Sequence, residues 1–299
     1  MDRALLGGMR TMGQMGKEPV RIAAMLILFV AILLATPAGL FAQTPSVSGD
    51  LTKAATSRSA RDDAAQSIPL QKIAPEHQKK VAWLLENAGV FRRLPLRVVP
   101  CDPDLYLFLV EHPDVVVNIW EVLGASQVKL KRNGPDAYQV NDQTGTTGTM
   151  QVLYRSSDLQ VVYIEGVYSG PMFGHEVRTR GLMVLKSGYK READGRCYVT
   201  SRLDAFLNVE PDSAEFLTKT FQPLVGRVAD INFQQTVDFV GCLSRTAEAN
   251  PQGTQRLAAR LTVEPAVRDE FLRLADQAAR RAAPATPARV AENPPATQR

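Results

Sequence analysis

The 299-residue chain carries only 3 cysteines and 3 histidines, too few for a disulfide framework, a zinc ribbon or an iron–sulfur site. Charge of one sign is lacking too. The 35 Lys and Arg against 31 Asp and Glu leave +4, evenly spread, so no nucleic-acid partner is expected. Nucleophile motifs are missing: there is no GxSxG, no SxxK with supporting elements and no cysteine beside a histidine. Glycine-rich phosphate loops are absent. His175-Glu176 does not open an HExxH motif, because Thr179 and Arg180 follow. Neither a metal nor a cofactor is therefore expected, and the 45% hydrophobic content is that of an ordinary globular chain.

What is present begins with Arg3, Arg10, Lys17 and Arg21, the apolar run 22–35, and the small-residue exit Pro37, Gly39 and Ala42. This pattern predicts a signal peptide over residues 1–42, cleaved after Ala42. The run is shorter than the roughly twenty residues of a bilayer span, although counting on to Ala42 makes it just long enough. Export to a periplasm or to the outside is expected, with inner-membrane anchoring through an uncleaved signal as the alternative. Membrane contact is then confined to this segment. No cysteine follows the run, so lipoprotein modification has no acceptor.

Residues 43–73 are small and polar, and read as a flexible linker. Residues 284–299 are rich in proline and alanine, and read as a disordered tail. Between them, 74–250 predicts one α+β domain, with an additional C-terminal helix over 251–283. Pro75 opens an amphipathic helix with Val81, Leu84, Leu85 and Ala88 on one face. A short β run covers 94–99, with Leu96 and Val98 read as inward. Asp102-Pro103 then starts a helix, and Pro113 opens another carrying Val116, Ile119, Trp120 and Leu123.

From 127 to 210 the apolar period drops to two and turn residues recur, which predicts six antiparallel strands: 127–132, 136–140, 147–155, 158–168, 176–186 and 196–209. In the last two, Thr179, Gly181, Met183 and Leu185, and Cys197, Ser201, Leu203, Ala205, Leu207 and Val209, share an inward face. Asp212 with Glu215 resembles a capping box for a long helix kinked at Pro223, with Cys242 read as a small buried hydrophobe.

This order of strand, two helices, six antiparallel strands and a long helix resembles the helix-grip fold of the START and Bet v 1-like (polyketide cyclase-like) superfamily. The resemblance covers about half the chain and rests on element order, without a signature motif. It implies a curved antiparallel sheet wrapped around a long C-terminal helix, enclosing a cavity that in many members holds a lipid or other apolar molecule. It also brings Cys101 near Cys197 across neighbouring strands. Their disulfide would be the one bridge the chain could form, but strand parity puts Cys101 on the opposite face unless Pro100 makes a bulge.

The ligand-pocket candidates are Trp120, Tyr163, Glu165, Phe173, His175, Thr179, Met183, Ser201 and Leu203. Phe173 and His175 stand at the expected cavity rim. Tyr163 and Glu165 share one face of a strand whose two faces are almost equally apolar, so which of them is inside stays open. The small residues Thr179, Gly181, Ser201 and Ala205 either leave room for a ligand or seat the helix. The first functional expectation is an exported, non-enzymatic binding protein for a small apolar or lipid-like molecule. The second is a cell-envelope scaffold module with a filled cavity, whose protein partner docks on the C-terminal helix around Phe271 and Leu274. A cyclase- or hydrolase-like enzyme using His175 or Glu165 ranks third.

Overall fold

The computed structural model describes residues 53–171, 176–210 and 222–282. Within them, eight strands form one antiparallel sheet: β1 Val90–Arg93, β2 Arg97–Pro100, β3 Lys129–Arg132, β4 Ala137–Asn141, β5 Thr146–Arg155, β6 Leu159–Tyr168, β7 Val177–Arg191 and β8 Cys197–Glu210. The spatial order is β1-β8-β7-β6-β5-β4-β3, and β2 continues β1 along β8. Seven α-helices surround the sheet: α1 Arg58–Gln66, α2 Pro75–Asn87, α3 Pro103–Glu111, α4 Pro113–Val122, α5 Gln222–Ala249, α6 Pro251–Ala258 and α7 Pro265–Ala282. No helix among the described residues is long and apolar enough to cross a membrane.

Local chemistry sets the boundaries. Asp102 caps α3 by accepting from the N–H groups of Asp104 and Leu105 at 3.1 Å each, and Pro103 fills the first helical position, where its missing donor costs nothing. Asn250 caps α6 through the Gly253 N–H at 2.9 Å. In the β4–β5 hairpin one buried carboxylate, Asp142, accepts from the N–H and hydroxyl groups of both Thr144 and Thr146 at 2.6–2.8 Å.

The inner face of the sheet is covered by α3, α4, α5 and α7. Along α5, Phe233, Val237, Val240, Leu243 and Ala247 form a buried stripe at helical spacing. Gly241 permits a close approach, since a Cβ there would lie 2.9 Å from Val99 Cβ. Arg92 pairs with Asp230, and Arg97 binds both oxygens of Asp238 at 2.5 and 2.6 Å, so α5 is latched to β1 and β2. Helix α7 closes this layer with Phe271, Leu274, Ala275 and Ala278 buried; the Phe271 ring stacks 6.1 Å from Phe108. Its last turn returns to the start of α3, where Arg281 donates to Asp102 at 2.7 Å and to Asp104 at 2.5 Å.

The outer face is covered as well. Phe91, Val161, Tyr163, Leu182, Val184 and Phe206 form a second core with Ala60, Ala64, Ile68, Ile73, Val81 and Leu84 from the N-terminal helices and their connection. Arg93 ties this layer to the sheet, donating to the fully buried Asp204 at 2.6 and 3.0 Å and to Asp63 of α1 at 2.7 Å. Hydrogen bonding to Asp204 raises the Arg93 pKa and keeps its guanidinium charged.

Several expectations are corrected. Within the stretch read as linker, 58–66 is helix α1, held by the buried pair Ala60 and Ala64, and Ala55 forms a bridge with Arg93. The β run at 94–99 is strand only from Arg97, in β2, and a separate strand, β1, precedes it at 90–93. Between the pairs Arg93↔Asp204 and Arg97↔Ser201, three residues on one side face two on the other, so a bulge at Leu94-Pro95-Leu96 resets the parity. Val98 is consequently 53% exposed, while Val99 and Cys101 point inward. The register sets Cys101 opposite Cys197, with the Cys101 N–H donating to the Cys197 carbonyl at 3.1 Å. Both thiols are nonetheless free; that of Cys101 donates to the Asp102 carbonyl at 3.5 Å, and burial pushes its pKa up to about 12.

Helix α5 is described from Gln222 onward, so the expected kink at Pro223 falls at the edge of the described residues. The capping box at Asp212 lies outside the described residues. Cys242 is half-buried. The segment 251–283 holds two helices instead of one. The apolar face of α7 that was to receive a protein partner is already occupied, because Phe271 and Leu274 are buried in the domain's own core.

This packing generates the first prediction. Phe271→Ala should lower unfolding stability by about 3–5 kcal/mol, measured by urea denaturation, because a fully buried ring is removed. A loss below about 1 kcal/mol would show that α7 is not part of the cooperative core.

Candidate functional site

Between the inner face of the sheet and the helices lies a cavity of about 60 Å³. Its floor is Met150 and Val152 of β5, Gln160 and Val162 of β6, Met183 and Leu185 of β7 and Leu203 of β8. Leu109, Val110, Pro113 and Val116 close one side from α3, α4 and their junction, and Thr236 and Val240 of α5 form the roof. Strand alternation explains the floor: every second residue of β6 and β7 faces in, so one unbroken run of apolar side chains crosses four strands.

Among the described residues, no charged side chain lines the cavity. Its polar groups are Gln160, whose Nε2 donates to the Val110 carbonyl at 3.2 Å, and Thr236, which is 2% exposed and whose hydroxyl has no partner. At 60 Å³ the space holds about four to six water-sized spheres. That is well below the roughly 300–1,000 Å³ of pockets for drug-sized ligands. The space matches the size of a small molecule or the end of a slim chain.

The residues singled out from sequence are dispersed. Met183 and Leu203 stand in the cavity wall. Thr179 and Ser201 face the same side but serve packing. The Ser201 hydroxyl bonds the Tyr106 phenol at 2.7 Å, and that phenol also meets Ser187 at 2.9 Å. The room beside Gly181 is filled, since a Cβ there would come within 2.7–2.8 Å of Ile164 and Leu207 atoms. Trp120 is fully buried away from the cavity, edge-on to Phe239 at 5.7 Å.

Tyr163 and Glu165 occupy the outer face. The Tyr163 hydroxyl donates to Glu165 at 2.7 Å and Lys80 sits 4.4 Å from the ring centre. Burial and the neighbouring carboxylate push the phenol pKa up, and the Glu165 side chain is 54% exposed. Glu165 there borders an open groove of about 560 Å³ with Gln139, Thr147, Thr149 and Lys131. Phe173 and His175 lie outside the described residues. Among those described, no cluster of His, Cys, Asp or Glu could hold a metal.

Sequence reasoning missed Gln160 and Thr236. Each had a signal: Gln160 is a polar residue opening an apolar strand, and Thr236 interrupts the apolar stripe between Phe233, Val237 and Val240.

At the α3–α4 junction beside the cavity, His112 packs 4.5 Å from Phe108 with the rings tilted, and its Nδ1 faces an Arg132 Nη2 donor at 3.0 Å. Arg132 also bonds Asp114 at 3.1 Å. An imidazole that accepts from a guanidinium must be neutral. Burial first and Arg132 second lower the His112 pKa, while Asp114 and Glu270 oppose the shift.

No family model matches the chain, and no curated protein matches it. Solved structures similar to it include a conserved protein from Geobacillus kaustophilus, at 12% identity over 49% of this chain and 90% of that one, with a TM-score of 0.34. A protein from Rhizobium leguminosarum is 9% identical over 50% of this chain and 94% of that one, with a TM-score of 0.31. Ara h 8.0201 is 9% identical over 50% of this chain and 99% of that one, with a TM-score of 0.27. At such scores the α+β architecture stands on the strand order and packing described above.

The neutral His112 gives a pH dependence. A folded-state pKa below the ordinary 6.5 makes this group's contribution to stability full above 6.5 and lost as pH falls through the folded pKa. Urea midpoints should therefore fall between about pH 7 and about pH 5, and His112→Gln should flatten part of that fall. Identical pH profiles for the two proteins would show that His112 is not held neutral.

Proposed function

We propose that this protein is an exported binding protein of helix-grip architecture that holds a small apolar ligand between its sheet and α5. The observation that carries the reading is the uncharged, apolar cavity under α5, roofed by Val240 and floored by four strands. The architecture is supported by topology: two helices separate β2 from β3, a meander follows, and a long helix returns across the inner face. Export rests on the N-terminal pattern of basic residues, apolar run and small-residue exit.

The size of the cavity narrows the ligand. A whole lipid does not fit in 60 Å³, so the bound molecule is small, or only the tip of a longer chain enters. Among the described residues the cavity wall holds no acid or base, and Tyr163 and Glu165 face away on the other side of the sheet.

Met150 and Met183 supply built-in reporters, because both stand in the wall. With methyl-labelled methionine, n-pentane should shift the resonances of these two residues. Val240→Phe, which fills the cavity at a cost of about 1–3 kcal/mol, should abolish the shifts while the fold persists. Unmoved Met150 and Met183 signals in the unmodified protein would contradict the reading.

A further inference from the structure

Among the described residues, four buried side-chain polar atoms lack a partner, and of these only the Thr236 hydroxyl belongs to a cavity wall. A threonine inside a helix has a default partner, the carbonyl four residues back. On this same helix Thr246 uses it, donating to the Cys242 carbonyl at 2.8 Å. In α6, Thr254 does likewise with the Asn250 carbonyl at 3.3 Å. Thr236 does not, and it is 2% exposed, so water outside the protein does not satisfy it either. A buried hydroxyl left this way is destabilising unless something in the cavity meets it.

We infer that the cavity is selective for a neutral short-chain aliphatic molecule bearing one oxygen, of the alcohol or ketone class, whose oxygen bonds Thr236. This rests on the reading of the cavity as a ligand site and adds the chemistry of the ligand. A threonine hydroxyl both donates and accepts, so it suits either an alcohol or a carbonyl. The rest of the wall is apolar apart from Gln160, whose Nε2 is committed to Val110, and it receives the hydrocarbon part. The 60 Å³ volume sets the size at about five heavy atoms. Carboxylates are disfavoured, because among the described wall residues no Lys, Arg or His offsets the desolvation of a charge.

The test titrates 1-butanol, n-pentane and butanoate into the full-length protein and its Thr236→Val and Thr236→Ser variants, read at the Met150 and Met183 methyl signals. Valine matches threonine in shape and removes the orphan hydroxyl, so the variant should melt no lower than the unmodified protein. Butanol affinity should fall about five- to tenfold in Thr236→Val and be kept in Thr236→Ser. Pentane affinity should be unchanged or higher in Thr236→Val, and butanoate should shift neither signal. Equal responses of butanol and pentane to Thr236→Val would overturn the selectivity while leaving the cavity reading intact. Failure of both butanol and pentane to move the signals in any of the three proteins would overturn the cavity reading itself.

Discussion

The architecture depends on one constraint: the central strands are apolar on both faces. In β6 the residues Val161 and Tyr163 point one way while Val162 and Ile164 point the other, and all four are buried. In β7, Leu182 and Val184 oppose Met183 and Leu185 in the same manner. An antiparallel sheet covered once would leave one of these faces in water, at roughly 25 cal/mol per Å² of apolar surface. A second covering layer is therefore required, and α1 and α2 provide it. Arg93 of β1 joins that layer to the sheet through Asp63 of α1 and also pairs with Asp204 of β8, a carboxylate so deeply buried that losing its partner would leave an uncompensated charge.

The cavity follows from how the inner layer meets the sheet. At Gly241 the helix α5 nearly touches Val99, because no side chain intervenes. The residues that face the sheet around the preceding turn include Thr236 and Val240, which are short, and opposite them the floor is Val162, Met183 and Leu203. Short side chains on a helix held at a fixed distance leave a gap. The two latches from Arg92 to Asp230 and from Arg97 to Asp238 keep α5 from settling into it. The void is thus a product of anchoring at the helix edge together with small residues at its centre.

Much of the fold was legible in the sequence. Period-two alternation placed the meander strands, and Asp102-Pro103 and Pro113 marked helix starts, because these signals are local. Helix α1 escaped because its buried face is only Ala60 and Ala64, which composition cannot distinguish from linker alanines. The inward face of β2 was misread because a bulge at Leu94-Pro95-Leu96 shifts the register by one residue, and bulges leave little trace in a single sequence. Of the site, Met183 and Leu203 followed from alternation, whereas Thr236 required knowing which turn of α5 lies over the gap. The two-sided apolarity of β6 was visible but was read as ambiguity about which face is inside, when it signalled that both are.

The most direct measurement of the central claim is a crystal structure under xenon pressure. Xenon enters dry apolar voids and makes no demand on hydrogen bonding. A xenon atom among Met183, Leu203 and Val240 is the predicted result, and it would establish an accessible apolar ligand site beneath α5. A cavity without xenon, its walls collapsed together or filled by ordered water, would contradict it.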